Sequence, residues 1–240
     1  AQLVKTIETT ELNAVVIDVK DFTGTISYTP ENDMLKETKG VGCVVRDMRE
    51  FVASLHEKGI YVIARITVFQ DPYYTKKHPE LAVKKASDGA VWKDYKGLSF
   101  IDVSAEPYWE YITTLALDAY AIGFDEINFD YIRFPSDGNM KDIAYPWSKN
   151  TPKGEALEKF FAYLKEKVTP SGVVTSADLF GMTTTNTDDL NIGQVLERTM
   201  PYFDYVAPMV YPSHYPPNFN GWKNPNNVSY ELIKFVMTRG

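Results

Sequence analysis

Short runs of apolar, largely β-branched residues alternate along this chain with segments of helical periodicity. The strand-like runs cover residues 14–19, 61–67, 124–134, 173–179 and 205–211. Apolar residues recur at helical spacing over 46–58, 106–122 and 155–168, and shorter helical patterns cover 3–12 and 230–237. This alternation predicts one α/β domain over residues 1–240, in which parallel strands are joined by crossover helices.

The polar residues of the five strands favour a barrel over an open sheet. An open nucleotide-binding sheet usually has a glycine-rich turn after its first strand, whereas Val19 is followed by Lys-Asp-Phe-Thr-Gly. Alternate side chains of a strand face opposite sides, and polar groups fall in one phase of each strand. The residues in that phase are Asp18, Lys20, Arg65, Asn128, Asp130, Ser176, Asp178, Met209 and Tyr211. They would converge on the mouth of a (β/α)8 TIM barrel.

The number of strands falls short of the eight that close such a barrel. We therefore expect an incomplete barrel that lacks the first strand and the last two. The run over residues 124–134 would then be the fourth strand.

Composition excludes several classes of partner and site. The formal charge of −7 argues against a nucleic-acid partner. Cys43 is the only cysteine, and His56, His78 and His214 are far apart in sequence, so we predict no catalytic metal and no cofactor. No apolar run approaches the length of about 18 residues that a membrane span requires.

The strand at 124–134 carries the first catalytic candidate. Ile127 and Phe129 share one face, while Glu126, Asn128 and Asp130 share the other. Polar groups on a buried strand are costly unless they are paired or used. Asp130 lies near the carboxyl end of the strand, where barrel enzymes place reactive groups. It can serve as nucleophile or as acid/base in glycoside hydrolysis.

Asp178 is the expected partner of Asp130, because it occupies the same phase of the next strand. Adjacent strands lie about 4.8 Å apart, so both carboxyl groups can face one pocket. The competing interpretations are structural. Asp130 could form a salt bridge with Arg65 or Arg133, and Asp178 could cap the loop that follows it.

Other polar and aromatic side chains are candidates for substrate binding. They are Asp18, Lys20, Arg65, Trp92, Asn128, Arg133, Tyr211 and His214. Arg65 could orient a carboxylate with two donors, and Trp92 could stack on a sugar ring. Ion pairing is the stronger explanation for Lys20, and loop packing competes with sugar stacking for Trp92.

Four stretches of the sequence resemble the DUF4015 family of glycoside hydrolases. They cover residues 12–21, 63–66, 124–138 and 208–215. The resemblance implies a (β/α)8 fold, a carbohydrate substrate and a location outside the cell or at the cell envelope. Related barrel glycosidases place a carboxylate where Asp130 lies, which supports Asp130 and leaves its partner open.

These observations predict a glycosidase that cleaves an oligosaccharide or polysaccharide with two carboxyl groups. Asp130 would act as nucleophile or base, and Asp178 as general acid with a raised pKa. A non-catalytic carbohydrate-binding barrel of the cell envelope is the main alternative. A lyase acting on acidic sugars is a further one, since it could use Arg65 and Tyr211.

Overall fold

Five parallel strands form one sheet in the order of the sequence. A computed structural model describes residues 2–38 and 45–240. The strands are β1 (Ala14–Lys20), β2 (Tyr61–Thr67), β3 (Glu126–Asp130), β4 (Val174–Phe180) and β5 (Tyr205–Met209). Each strand pairs in parallel with the next one along the chain, so the predicted parallel α/β arrangement is confirmed. Whether the sheet belongs to a barrel lacking three strands stays a prediction.

Helices connect the strands, as parallel pairing requires. The α-helices are α1 (Gln2–Glu8), α2 (Asp33–Lys36), α3 (Met48–His56), α4 (Pro72–Lys77), α5 (Glu106–Ile122), α6 (Lys153–Val168), α7 (Leu196–Thr199) and α8 (Ser229–Arg239). Short 3-10 helices cover Pro79–Leu81, Met140–Asp142, Thr169–Ser171, Gly181–Thr184, Met200–Tyr202, Pro212–His214, Phe219–Gly221 and Pro225–Val228. Among the described helices, none is both long and apolar enough to cross a membrane. Cys43 lies outside the described residues.

One face of the sheet packs against helices and holds the main core. Alternate strand residues such as Ile66, Phe129 and Ala177 are fully buried there. They pack with apolar residues of α3, α5 and α6, including Leu115 and Phe160. The other phase of the strands therefore lies on the opposite face, as the sequence pattern predicts.

Strand β3 ends earlier than its apolar pattern suggests. The predicted strand runs to residue 134, whereas β3 ends at Asp130. Tyr131 has a φ of 52°, in the left-handed region that breaks an extended strand. The turn places Tyr131 and the residues after it around the end of the sheet rather than along it.

Candidate active site

The pairing register gathers the predicted polar residues on one face of the sheet. Asp18 lies beside Arg65, Arg65 beside Asn128, and Asn128 beside Ser176. Asp130 and Asp178 occupy the next positions of the same phase, toward the carboxyl ends of β3 and β4. The site is therefore built mainly from strand residues, which hold their side chains in fixed relative positions.

Arg65 lies at the centre of three carboxyl groups. Its Nη1 donates a hydrogen bond to Asp18 Oδ1 at 2.9 Å, and its Nη2 donates a short one to Asp130 Oδ2. Its Nε lies 3.8 Å from Asp178 Oδ2. Partial burial alone would lower the pKa of Arg65, but the neighbouring carboxylates of Asp130 and Asp18 raise it above its usual range. The guanidinium thus carries a permanent positive charge among these groups.

Asp130 is buried and held on both carboxylate oxygens. Its side chain is 3% exposed. While Oδ2 accepts from Arg65, Oδ1 accepts a hydrogen bond of 2.6 Å from the backbone N–H of Tyr131. The two donors fix the position and orientation of the carboxyl group.

Asp178 has a different environment, although it touches the same guanidinium. Its side chain is 17% exposed, and Oδ1 accepts a hydrogen bond of 3.0 Å from Asn128 Nδ2. Burial is the largest cause that raises the pKa of Asp178 to about 6. The charges of Asp130 and Glu126 act in the same direction, whereas the Asn128 hydrogen bond and Arg65 oppose it.

A chain of hydrogen bonds holds Asn128, the residue that donates to Asp178. Asn128 Nδ2 also donates to Ser176 Oγ at 3.0 Å, and Ser176 Oγ donates to Glu126 Oε1 at 2.5 Å. Tyr61 completes the chain by donating its hydroxyl to Glu126 Oε2 at 3.2 Å. These bonds satisfy the buried Glu126 and fix the orientation of the amide that contacts Asp178.

A pocket of about 510 Å³ opens above Asp130 and Arg65. It is enclosed by the ends of β3, β4 and β5 and by the segments that follow them. Its lining residues are Arg65, Asp130, Tyr131, Arg133, Phe180, Gly181, Met182, Met209, Tyr211, His214 and Tyr215. The pocket is large enough for a sugar unit and combines aromatic walls with charged groups, as ligand pockets commonly do.

Several predicted substrate-binding residues lie at this pocket. Arg65, Arg133, Tyr211 and His214 line it directly. The rings of Tyr211 and His214 meet edge to face with centroids 5.2 Å apart, and both residues are exposed. Asp18, Asn128 and Asp178 are not among the pocket-lining residues. Asp18 and Asp178 contact the pocket residue Arg65, and Asn128 bonds to Asp178.

The expectation that Lys20 binds substrate is wrong, because a β-bulge turns the residue away. Asp18 pairs with Arg65 but Lys20 pairs with Ile66, so the register shifts between them. Lys20 is fully buried; its Nζ lies 2.9 Å from Asp71 Oδ2 and donates to the carbonyl oxygen of Thr67 at 2.6 Å. Lys20 is therefore a structural ion-pair residue, as the competing interpretation held.

Trp92 is also absent from the pocket, and its expected role in sugar stacking is wrong. It is 1% exposed and packs with Val83 and Phe100 in a small core of the long β2–α5 connection. Its Nε1 donates to the carbonyl oxygen of Asn139 at 3.1 Å. A Cβ on Gly138 would lie 2.5 Å from the Trp92 ring, so the indole has no free face there.

Sequence reasoning missed a group of residues that enclose the pocket. Tyr131 directly follows Asp130, and Phe180 lies two residues after Asp178, so a search of the residues that follow each catalytic candidate would have found them. Tyr215 is 5% exposed, and its hydroxyl has no hydrogen-bond partner within the described residues. A Cβ on Gly181 would lie 2.6 Å from that hydroxyl. The Tyr215 hydroxyl can therefore pack against the backbone of residue 181 only because that residue is glycine.

No three His, Cys, Asp or Glu side chains in residues 2–38 and 45–240 are grouped so that they could hold a metal ion. The expectation of a metal-free site stays a prediction. The residues that are present offer one carboxyl group hydrogen-bonded to a guanidinium, one carboxyl group with a raised pKa and two guanidinium groups. This set can combine a nucleophile or base with a proton donor.

Solved structures resemble this fold to different degrees. A hypothetical protein from Ruminiclostridium thermocellum is 34% identical, with a TM-score of 0.66 over 74% of this chain and 88% of its own. An α-galactosidase from Thermus thermophilus and a chitobiase from Flavobacterium johnsoniae are each 14% identical, with TM-scores of 0.55 and 0.56. They match 85% and 90% of this chain, which spans only 38% and 36% of their lengths.

At 14% identity the likeness to the two enzymes concerns the fold alone, and both have TIM-barrel-like folds. No curated protein matches the chain. The sequence profile of one family matches residues 1–240 in full. The chain belongs to that family, DUF4015, which is described as a putative glycosyl hydrolase domain.

Proposed function

We propose that this protein hydrolyses glycosidic bonds with Asp130 and Asp178 as its pair of carboxyl groups. Asp130 acts as nucleophile or base, and Asp178 donates a proton to the leaving oxygen. Membership of a glycosyl hydrolase family supports the reaction class. The sugar enters the pocket of about 510 Å³ at the carboxyl ends of the strands.

The observation that carries this proposal is the different environment of two carboxyl groups that contact one guanidinium. In the proposed reaction Asp130 is the charged member of the pair, because Arg65, a permanent cation, and the Tyr131 N–H both donate hydrogen bonds to it. Burial and the charge of Asp130 raise the pKa of Asp178 to about 6, so that part of it is protonated near neutral pH. Glycosidases require this division between a charged and a protonated carboxyl group.

Asp130→Asn and Asp178→Asn test the two roles separately. On a panel of aryl glycosides and polysaccharides, Asp130→Asn should lower kcat/KM by at least about a hundredfold with every leaving group. Asp178→Asn should be as severe on polysaccharides. It should be mild on dinitrophenyl glycosides, because their leaving group departs without a proton.

Asp18→Asn is the matched control, since Asp18 also bonds to Arg65 but its side chain is 51% exposed. It should retain most of the activity. Equal losses in all three variants, or full activity of Asp130→Asn, would contradict the assignment.

The anomer of the first product defines the role of Asp130. Proton NMR of the fresh product should show retention if Asp130 forms a covalent intermediate and inversion if it activates water. The non-catalytic alternative gives another result. A carbohydrate-binding protein would bind sugars by calorimetry and release no reducing ends from any of them.

A further inference from the structure

Arg133 is a buried cation at the pocket wall that makes no salt bridge within the described residues. It is 9% exposed, and its Nη1 donates to the carbonyl oxygen of Phe134 at 3.0 Å and to Ser136 Oγ at 3.1 Å. Within the part of the chain that the structure describes, Arg133 makes no salt bridge, and the ion pairs of this pocket all belong to Arg65. No hydrogen bond from Nε or Nη2 of Arg133 is formed to the described residues.

Burying a charge without a directly paired counter-ion is costly, so this arrangement requires an explanation. Burial is the largest cause that lowers the pKa of Arg133, and the charges of Tyr131, Asp130, Asp137 and Asp94 oppose it without pairing directly with the guanidinium. A guanidinium keeps its proton in proteins. The rings of Tyr131 and Phe180 lie 5.2 and 5.0 Å from its central carbon and stabilise the cation in part. Both rings also line the pocket, so they hold the guanidinium in a fixed plane beside the substrate space.

The free donors of Arg133 match a planar anion. With Nη1 bonded to the protein, Nε and Nη2 can donate two parallel hydrogen bonds, the geometry that a carboxylate accepts. Arg65 cannot serve this purpose, because Asp18, Asp130 and Asp178 already surround it. Arg133 is thus the cation of the pocket that can pair with a charged substituent of a sugar.

We propose that the pocket binds an acidic sugar, a uronic acid unit whose carboxylate pairs with Arg133. Hydrolysis of the bound sugar rests on the proposed glycosidase function, but binding of the sugar can be measured separately. The hydrogen bond and positive charge of Arg65 reduce the repulsion between Asp130 and the substrate carboxylate.

The test measures binding of matched sugars to the full chain carrying Asp130→Asn, so that no turnover occurs. Calorimetry compares trimers of galacturonic and glucuronic acid with their carboxyl-reduced counterparts of the same linkage. We expect one acidic trimer to bind about ten- to a hundredfold more tightly than its reduced form, as loss of a charged hydrogen bond predicts.

Substitution of Arg133 should remove that difference. Arg133→Gln should bind both members of the pair equally, and Arg133→Lys should keep part of the preference, because it retains the charge but not the two-donor edge. Lys153→Gln is the control, since Lys153 lies over the rings of Phe134 and Tyr145 but does not line the pocket. It should leave the preference intact. Circular dichroism and thermal melting establish that each variant is folded, and Arg133→Lys keeps the test decisive if Arg133→Gln unfolds.

The outcomes separate this inference from the proposed reaction. A preference that depends on Arg133, without release of reducing ends by the wild type, supports the acidic-sugar site and refutes the hydrolase. Equal binding of both members of every pair by the Asp130→Asn protein, or no binding of any acidic trimer, overturns the inference even if neutral sugars are hydrolysed. Tighter binding of 6-sulfated or 6-phosphorylated sugars than of uronates overturns the choice of a carboxylate.

Discussion

Asp178 should make the folded protein less stable when it is ionised, and replacing it should reverse that effect. The pKa of Asp178 is raised from 3.8 to about 6, with burial as the first cause. A carboxyl group whose pKa is higher in the folded state binds protons more strongly there. Its stabilising contribution is therefore complete below pH 3.8 and is lost as the pH rises through about 6. Asp178→Asn carries no charge and should escape this loss.

The size of the effect follows from the shift. A difference of one pKa unit corresponds to about 1.4 kcal/mol. Above pH 7 the cost of ionising Asp178 in the folded state therefore approaches roughly 3 kcal/mol, and at pH 4 it falls below about 1 kcal/mol. The asparagine amide keeps an oxygen that can accept from Asn128 Nδ2, so this hydrogen bond need not be lost.

Urea unfolding at pH 4 and pH 7.5 measures the prediction directly. Asp178→Asn should raise the free energy of unfolding relative to wild type by about 2–3 kcal/mol at pH 7.5 and by much less at pH 4. Asp18→Asn, which removes a half-exposed carboxylate from the same guanidinium, should not show this pH-dependent gain. A difference for Asp178→Asn that is the same at both pH values, or a loss of stability at pH 7.5, would refute the reasoning.

The remaining predictions concern Lys20 and Trp92, which do not line the pocket, and Tyr215, which does. Lys20→Met should lower the free energy of unfolding by about 3–5 kcal/mol in urea titrations, because it leaves the carboxylate of Asp71 buried without its partner. Trp92→Phe should also be destabilising, by about 1–3 kcal/mol, while calorimetry shows unchanged sugar affinity; a weakened affinity in a folded variant would return Trp92 to the binding site. Tyr215→Phe should leave the melting temperature unchanged or raise it, because the hydroxyl makes no hydrogen bond within the described residues. A clear drop in its melting temperature would contradict this account.

The sequence was sufficient to predict which strand residues face the core and which face the site, because successive side chains of a strand point to opposite faces of the sheet. Ile127 and Phe129 point to the core, and Asn128 and Asp130 point to the site. Parallel pairing of neighbouring strands then brings Asp130 and Asp178 to the same guanidinium of Arg65, without any information on side-chain packing. The end of β3 was beyond this reasoning, because Tyr131 is a residue common in strands and nothing in its type signals a left-handed turn.

The two incorrect substrate contacts have different physical causes. Lys20 has the expected phase in the sequence, but one extra residue in the ladder between it and Asp18 moves its side chain to the other face. A bulge leaves no sequence signal when no glycine marks it. Trp92 lies in a long connection, where burial depends on contacts with distant segments such as that of Asn139.

The charges around Arg65 link the protonation of Asp178, the proposed general acid, to the binding of the proposed acidic sugar. Asp18, Asp130 and Asp178 share one guanidinium, so each carboxylate beyond the first adds a negative charge that Arg65 does not balance. The charge of Asp130 accordingly contributes to the raised pKa of Asp178. A carboxylate bound to Arg133 would add negative potential to the same pocket and would favour protonated Asp178 further. The coupling is reciprocal, so protonated Asp178 would also favour binding of the acidic sugar. An acidic substrate would therefore hold the general acid in its working form, and its affinity would fall as the pH rises through the pKa of Asp178.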